Sequence, residues 1–243
     1  GEAHCHPLNY ALGIAKAAIS AGAKIFEDTP AISYKVNDDH VKIIIKDGSI
    51  KADRVVLACN GYLGNFEKSL TSKILPMNNY IVATKPLDDE TVQKINPKDI
   101  AFADSRFVIN YFRMSADKRL LFGGGENYSQ ELSNNIIPIV TKPLEKIYPF
   151  LKGIKIDYAW GGKLAITMNR LPFFTTLHNE KVISAQGYSG QGVALASYSG
   201  KLVSEKITGN GETFDIMAKI PRQSFPGGRF LRNPSMKLGM LYY

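Results

Sequence analysis

Leu8, Ala11, Leu12, Ala15, Ala18 and Ile19 recur at the intervals of a single helix face, which predicts a helix over Leu8 to Ala21. Pro7 suits its first turn and Gly22 its end. Strand-like runs follow at Lys24 to Glu27, Ala31 to Val36 and Val41 to Lys46. Asn37, Asp38 and Asp39 supply a turn between the last two, and Asp47-Gly48 turns the chain towards Ser49 and Ile50. Arg54 to Cys59 is then a short apolar run broken by Asn60-Gly61, the pattern of a buried strand entering a loop.

From about Ile74 the pattern changes to alternating and aromatic runs at Asn79 to Thr84, Phe107 to Met114 and Leu120 to Phe122. Helices are predicted near Asp88 to Lys94 and Ile139 to Tyr148. Strand runs interrupted by helices suit an antiparallel sheet with helices on one face. Val182 to Ala185 reads as a strand that passes through a glycine loop into a helix from about Val193 to Ile207. Residues 209–243, rich in Gly, Pro and Arg, are expected to form an extended tail over the body.

The chain has 243 residues, 44% hydrophobic and 21% charged, enough to bury one large or two modest cores. No apolar run is long enough for a membrane span and no signal-peptide layout is present, so the default address is the cytoplasm. The two cysteines, Cys5 and Cys59, have no disulfide or zinc spacing. A net charge of +8 invites a polyanion partner, but the lysines are scattered, which argues against nucleic acid.

The strongest local signal is Gly187-Tyr188-Ser189-Gly190-Gln191-Gly192-Val193-Ala194. Its glycines permit close backbone approach, and the helix that follows aims N–H groups and a positive dipole end at whatever lies before it. It is not a dinucleotide fingerprint, because Leu195 stands where the third glycine belongs. A turn that merely packs a helix is the alternative. Trp160-Gly161-Gly162 with Arg170-Leu171-Pro172 forms a second cluster, for which core packing of Trp160 competes with a ligand role. His4-Cys5-His6 lacks the further ligands a metal clip needs, and Gly123-Gly124-Gly125 reads as a bulge or sheet bend.

These segments, with His6-Pro7-Leu8-Asn9, Val55 to Tyr62, Leu120 to Gly124 and Phe225-Pro226-Gly227-Gly228, resemble the FAD-dependent oxidoreductases that include D-amino-acid, glycine and sarcosine oxidases. The γ-glutamylputrescine oxidoreductase branch is the most similar. The resemblance implies an α/β fold, α+β overall, made of an incomplete FAD-binding Rossmann-like domain and an antiparallel-sheet substrate domain. The expected boundaries are 1–73 and 159–208 for the FAD-binding part, 74–158 for the substrate domain and 209–243 for the tail. Family members begin with a strand, a G-x-G-x-x-G turn and a helix for the FAD pyrophosphate. Neither turn nor acidic ribose-binding strand is found here, so the chain is expected to be a C-terminal piece that binds FAD weakly or not at all alone.

By the same resemblance, Ala31 would lie by the adenine, and Asn60, Gly61 and Tyr62 would line the cofactor cleft. Gly162, Met168 and Arg170 would border the isoalloxazine, and Gly190, Gln191, Gly192 and Val193 its pyrimidine edge. The FAD would be non-covalent. The implied reaction moves a hydride from an amine-bearing carbon to the flavin, with oxygen or another acceptor taking the electrons. Tyr80, Tyr111, Trp160 and Arg113 are expected around a small amine substrate, with Arg113 or Arg170 pairing any carboxylate. Two further readings stand beside this: a catalytically silent module, and a basic polyanion-binding protein. Catalytic residues and oligomeric state are not indicated.

Overall fold

A computed structural model describes residues 3–106, 108–127 and 131–240. The chain divides into two compact units: Gly1–Cys5 with Pro76–Lys163 and Asn233–Tyr243, and His6–Leu75 with Leu164–Arg232.

The first unit is built on a five-stranded sheet in the order β6-β7-β8-β5-β9. Its strands are β5 (Leu75–Thr84), β6 (Phe102–Ala103), β7 (Tyr111–Met114), β8 (Leu120–Asn127) and β9 (Ile156–Ile166), and the β5–β8, β6–β7 and β7–β8 pairs are antiparallel. Tyr80, Val82, Met114, Leu120 and Phe122 project to one face, where they meet Val140 and Leu144 of α4 (Ile137–Ile147), Ile95 of α3 (Asp89–Ile95) and Leu151. Phe112 stacks on Phe122 at 5.4 Å and on Phe102 at 5.1 Å, extending this core to the sheet edge. The antiparallel sheet with helices on one face is therefore as the sequence predicts. At the triple glycine the β5–β8 register shifts, which makes this segment the expected bulge. A Cβ on Gly123 would stand 2.2 Å from the Tyr111 ring, and one on Gly125, at φ +67°, 2.4 Å from Ile139.

The second unit holds α1 (Pro7–Ser20), the hairpin sheet β1 (Ala31–Val36), β2 (Val41–Ile45) and β3 (Gly48–Ala52), and a second sheet. That sheet runs β10-β11-β4, with β4 (Val55–Leu57) parallel to β11 (Val182–Gln186) and β10 (Phe173–Leu177) antiparallel to β11. Leu57, Leu63, Leu70, Ile74, Ala165, Phe173 and Val182 form one core, and Phe174, Ile183 and Ala185 pack against Leu202 and Val203 of α5 (Gly192–Ile207) and Phe214 of α6 (Glu212–Lys219). Alternation along β11 thus serves two cores, which is why every residue of that strand is buried.

Three expectations need correction. Lys24 to Glu27 is not a strand; among the described residues the segment has no strand neighbour, and Ile25 and Phe26 stay 50% and 68% exposed. The run expected over Phe107 to Met114 is a strand only from Tyr111, and Phe107 lies outside the described residues. Residues 209–243 are not simply extended, since α6 and α7 (Gly228–Met240) lie within them. Arg222 explains the stop after α6: its guanidinium donates to the Met217 carbonyl at 2.6 Å and the Ala218 carbonyl at 2.7 Å and sits over the Phe173 ring.

Candidate functional site

Three loops of the second unit are tied together by hydrogen bonds. The loop after β4 contributes Asn60, whose Oδ1 accepts from the Gly187 amide at 3.1 Å. The loop between β9 and β10 contributes Thr167, whose amide donates to Ser189 Oγ at 3.3 Å and whose hydroxyl donates to the Leu171 carbonyl at 2.8 Å. The loop between β11 and α5 answers with the Ser189 amide, which donates to the Ala165 carbonyl at 2.9 Å. Each loop also holds a non-glycine residue in the left-handed region: Asn60 at φ +48°, Arg170 at +61° and Ser189 at +51°. Such backbone persists only where its surroundings fix it, and it concentrates at ligand sites.

Gly187, at φ +76°, is needed for close packing, since a Cβ there would stand 2.7 Å from Thr167 Cγ2. Gly190 differs: at φ +100° an added Cβ would meet nothing within 4 Å. The loop thus has a packed root and an open crest. From that crest α5 starts at Gly192, with Gln191 at the N-cap making no side-chain cap hydrogen bond. Gln191 and Val193 are exposed, so the first amides and the positive dipole end are accessible. Beneath the loop, Gln186 is fully buried, and its Oε1 and Nε2 have no hydrogen-bond partner among the described residues. An apolar groove of about 470 Å³ runs between α1 and α5 above β4 and β11.

In the first unit the sheet has one covered and one open face. Tyr111 crosses Gly123 and donates from its hydroxyl to Asn79 Oδ1. Arg113 shares the Tyr111 face by alternation, while Phe112 and Met114 turn to the helices. A Cβ on Gly161 would stand 2.6 Å from the Tyr80 ring, on the covered side, so Trp160 and Gly162 alternate to the open side. Trp160 is 44% exposed.

The residues expected at a site are therefore distributed as follows. Asn60, Gly61, Met168, Arg170, Gly190 and Gln191 lie in the three laced loops and Gly192 and Val193 open α5, with Tyr62 64% exposed in the turn Asn60–Tyr62. Tyr111, Arg113, Trp160 and Gly162 share the open face of the five-stranded sheet. Tyr80 does not: it is fully buried in the helix-covered core and accepts from the Ser133 amide at 3.0 Å, which makes it a packing residue. Ala31 begins β1, opposite Ile45 in the hairpin sheet. His6 caps α1, accepting from the Asn9 amide at 3.3 Å, and His4 lies 2.9 Å from the Asp99 carbonyl. No group of three or more possible metal ligands occurs among the described residues. Sequence reasoning passed over Thr167 and Gln186, because neither an isolated threonine nor a strand glutamine carries a spacing signal.

Known proteins bear on this arrangement. The family described as FAD dependent oxidoreductase (DAO) matches residues 1–206. The chain is 38% identical over 243 residues to a probable oxidoreductase OrdL of Rhizobium meliloti, covering 100% of this chain and 56% of that protein. It is 35% identical over 241 residues to the gamma-glutamylputrescine oxidoreductase of Escherichia coli, covering 99% of this chain and 56% of that protein. The chain spans about half the length of the curated relatives it matches. Among solved structures, glycine oxidase from Bacillus cereus superposes with a TM-score of 0.68 at 19% identity, covering 87% of this chain and 58% of that one. L-proline dehydrogenase from P. horikoshii superposes with a TM-score of 0.67 at 22% identity, covering 83% and 55%. On a match that takes in most of its length, this chain belongs to the FAD dependent oxidoreductase family.

Proposed function

We propose that this chain supplies the ring-binding loops of a flavin site in a protein that oxidises a small primary or secondary amine or amino acid. The observation that carries the reading is the open crest at Gly190 to Gly192, where the first amides of α5 and its dipole face outward with no side-chain cap. The residues present fit a flavin: unpaired N–H groups and a helix start suit an electron-rich heterocycle edge, and the exposed Tyr62 and Val193 suit an aromatic face. When bound, FAD supplies the hydride acceptor.

The chain's own residues would act by position and electrostatics. The amides at Gly192 and Val193 stabilise negative charge that builds at the edge of a ligand seated before them. Asn60 and Thr167 hold that loop in its strained form, so little reorganisation is left for the moment of reaction. Tyr111 and Trp160 offer apolar surface to an alkylamine, and Arg113 or Arg170 suits a planar carboxylate. The amine carbon gives up a hydride, the resulting imine is hydrolysed by water, and oxygen or another acceptor receives the electrons. A γ-glutamylputrescine-like substrate is proposed on the similarity to the Escherichia coli protein.

The test is an amide NMR titration of the 243-residue chain with FAD. Binding is expected to be weak, with the largest shifts at Asn60 and at Gly190 to Val193. Millimolar FAD that leaves those amides unmoved, or moves only others, overturns the assignment.

A further inference from the structure

Residues 221–225, which follow α6, are neither helix nor strand, yet they are fastened along their length. Phe225 is 3% exposed, and its amide donates to the Ser72 carbonyl at 2.9 Å. Lys73 Nζ donates to the Arg222 carbonyl at 3.2 Å. Further on, the Arg232 guanidinium donates to the Thr71 and Ile74 carbonyls at the end of α2 (Lys68–Thr71). A surface segment without ladder bonds opens easily unless buried apolar contacts and otherwise orphaned carbonyls hold it, and this strap has both.

The strap meets the loop between β9 and β10 on both sides of Arg170. Asn169 Nδ2 donates to the Pro221 carbonyl at 3.1 Å, while its Oδ1 accepts from the Leu171 amide at 3.1 Å. A carbonyl only accepts and an amide N–H only donates, so both ends of the carboxamide are committed and its orientation is fixed. Three residues past Arg170, the Phe173 ring lies 5.0 Å from the Arg222 guanidinium. Arg170, between these two contacts, stands at φ +61°, which a non-glycine residue keeps only under constraint. The bond from Leu171 to Asn169 is a local turn of the kind asparagine forms readily. The Pro221 bond and the Phe173 contact tie that turn to the strap. The family match ends at residue 206, before the strap begins, so this support lies outside the matched domain.

We infer that Asn169 is a positioning residue: through Pro221, the strap of residues 221–232 sets the conformation of Met168 to Arg170 and hence the fit of that loop to a ring it borders. This rests on the flavin site proposed for these loops. With the strap bond lost, the loop samples other arrangements, and a ligand has to order it on binding. The crest at Gly190 is rooted separately, by the bonds of Gly187 to Asn60 and of Ser189 to Ala165, so the two loops respond independently.

Asn169→Asp separates the two bonds of the carboxamide, because a carboxylate still accepts from the Leu171 amide but cannot donate to Pro221. Asn169 is exposed, so this variant is expected to fold with an unchanged urea midpoint. Phe225→Ala loosens the strap from its other side and leaves Asn169 in place. Without flavin, hydrogen-exchange protection of the Arg170 amide, which donates to the Thr167 carbonyl at 3.2 Å, is expected to fall in each variant. The fall should be about 2- to 12-fold, the range that a net hydrogen bond of about 0.5–1.5 kcal/mol gives. With FAD, amide shifts at Met168 to Arg170 are expected to shrink about twofold or more while those at Gly190 to Val193 persist, a split that general destabilisation does not produce. Phe225→Ala adds no charge, so agreement between the variants excludes repulsion of the FAD phosphates as the cause. Unchanged protection at Arg170 in Asn169→Asp overturns the inference, whether or not Phe225→Ala folds, and so does an equal loss of shifts at both loops. An unaltered chain that shows no FAD shifts at any of these residues overturns the flavin site itself and the positioning role with it. The exchange measurement contains no flavin, so its failure is separate from failure of the titration.

Discussion

Gln186 combines full burial with a carboxamide that finds no partner among the described residues. A buried polar group left unpaired costs about 1–3 kcal/mol, so Gln186→Leu is expected to raise the unfolding free energy by about 1 kcal/mol, read from the urea midpoint. If the carboxamide serves a ligand above it, the same variant weakens the FAD-induced shifts at Gly190 to Val193. Asn60→Ala removes the acceptor for the Gly187 amide and puts alanine at φ +48°, and should cost about 1–3 kcal/mol by urea unfolding. Gly123→Ala should cost about 1–3 kcal/mol and displace the Tyr111 ring, visible as loss of its contact to Asn79 in a crystal structure. At this scale the sequence was informative where a glycine or a left-handed asparagine marks a turn. It put Tyr80 at the substrate rather than in the core, since an aromatic in an alternating strand reads alike on either face until helices are known to cover one of them.

At the level of elements, β1 is clipped to α2 (Lys68–Thr71) by the Tyr34 hydroxyl, which donates to Glu67, while Glu67 caps the helix through the Ser69 amide at 2.9 Å. Burial and the neighbouring Glu67 carboxylate push the Tyr34 phenol well above its ordinary range. For Glu67, burial alone would raise the carboxyl, but hydrogen bonds from Ser69 and Tyr34 outweigh it and hold the carboxyl below its usual value. A raised phenol contributes stability that is complete below the unfolded value of 10.0 and is lost as pH rises beyond it; a lowered carboxyl contributes stability that is lost as pH falls below 4.5. Thermal melts should therefore decline above about pH 10, and Tyr34→Phe should flatten that decline and cost about 0.5–1.5 kcal/mol near neutrality. Helices with a clear stripe and end signals, α1 and α5, were legible to within a residue or two. Lys24 to Glu27 was not, because a strand is made by its neighbour as much as by its own side chains. Helices α6 and α7 were hidden by flanking Gly and Pro, and by Pro234 inside α7.

For the whole molecule, each unit has its own core, and the chain passes from one to the other after Cys5, Leu75, Lys163 and Arg232. Of the described helices none is long and apolar enough to cross a membrane. The surface of the second unit is unusually apolar around α1 and Ile25-Phe26, so the chain alone is expected to enhance ANS fluorescence, and Leu8→Lys with Leu12→Lys to reduce it without lowering the urea midpoint. Retained dye emission in that double variant would place the apolar surface elsewhere. The bond between Asn60 and Gly187 joins positions 127 residues apart, and one of its partners is a backbone amide buried at the foot of an otherwise accessible loop. That proton is thus a built-in clock: in deuterated solvent it should outlast its neighbours on the crest, and its lifetime dates the moment at which two loops distant in sequence let go of each other.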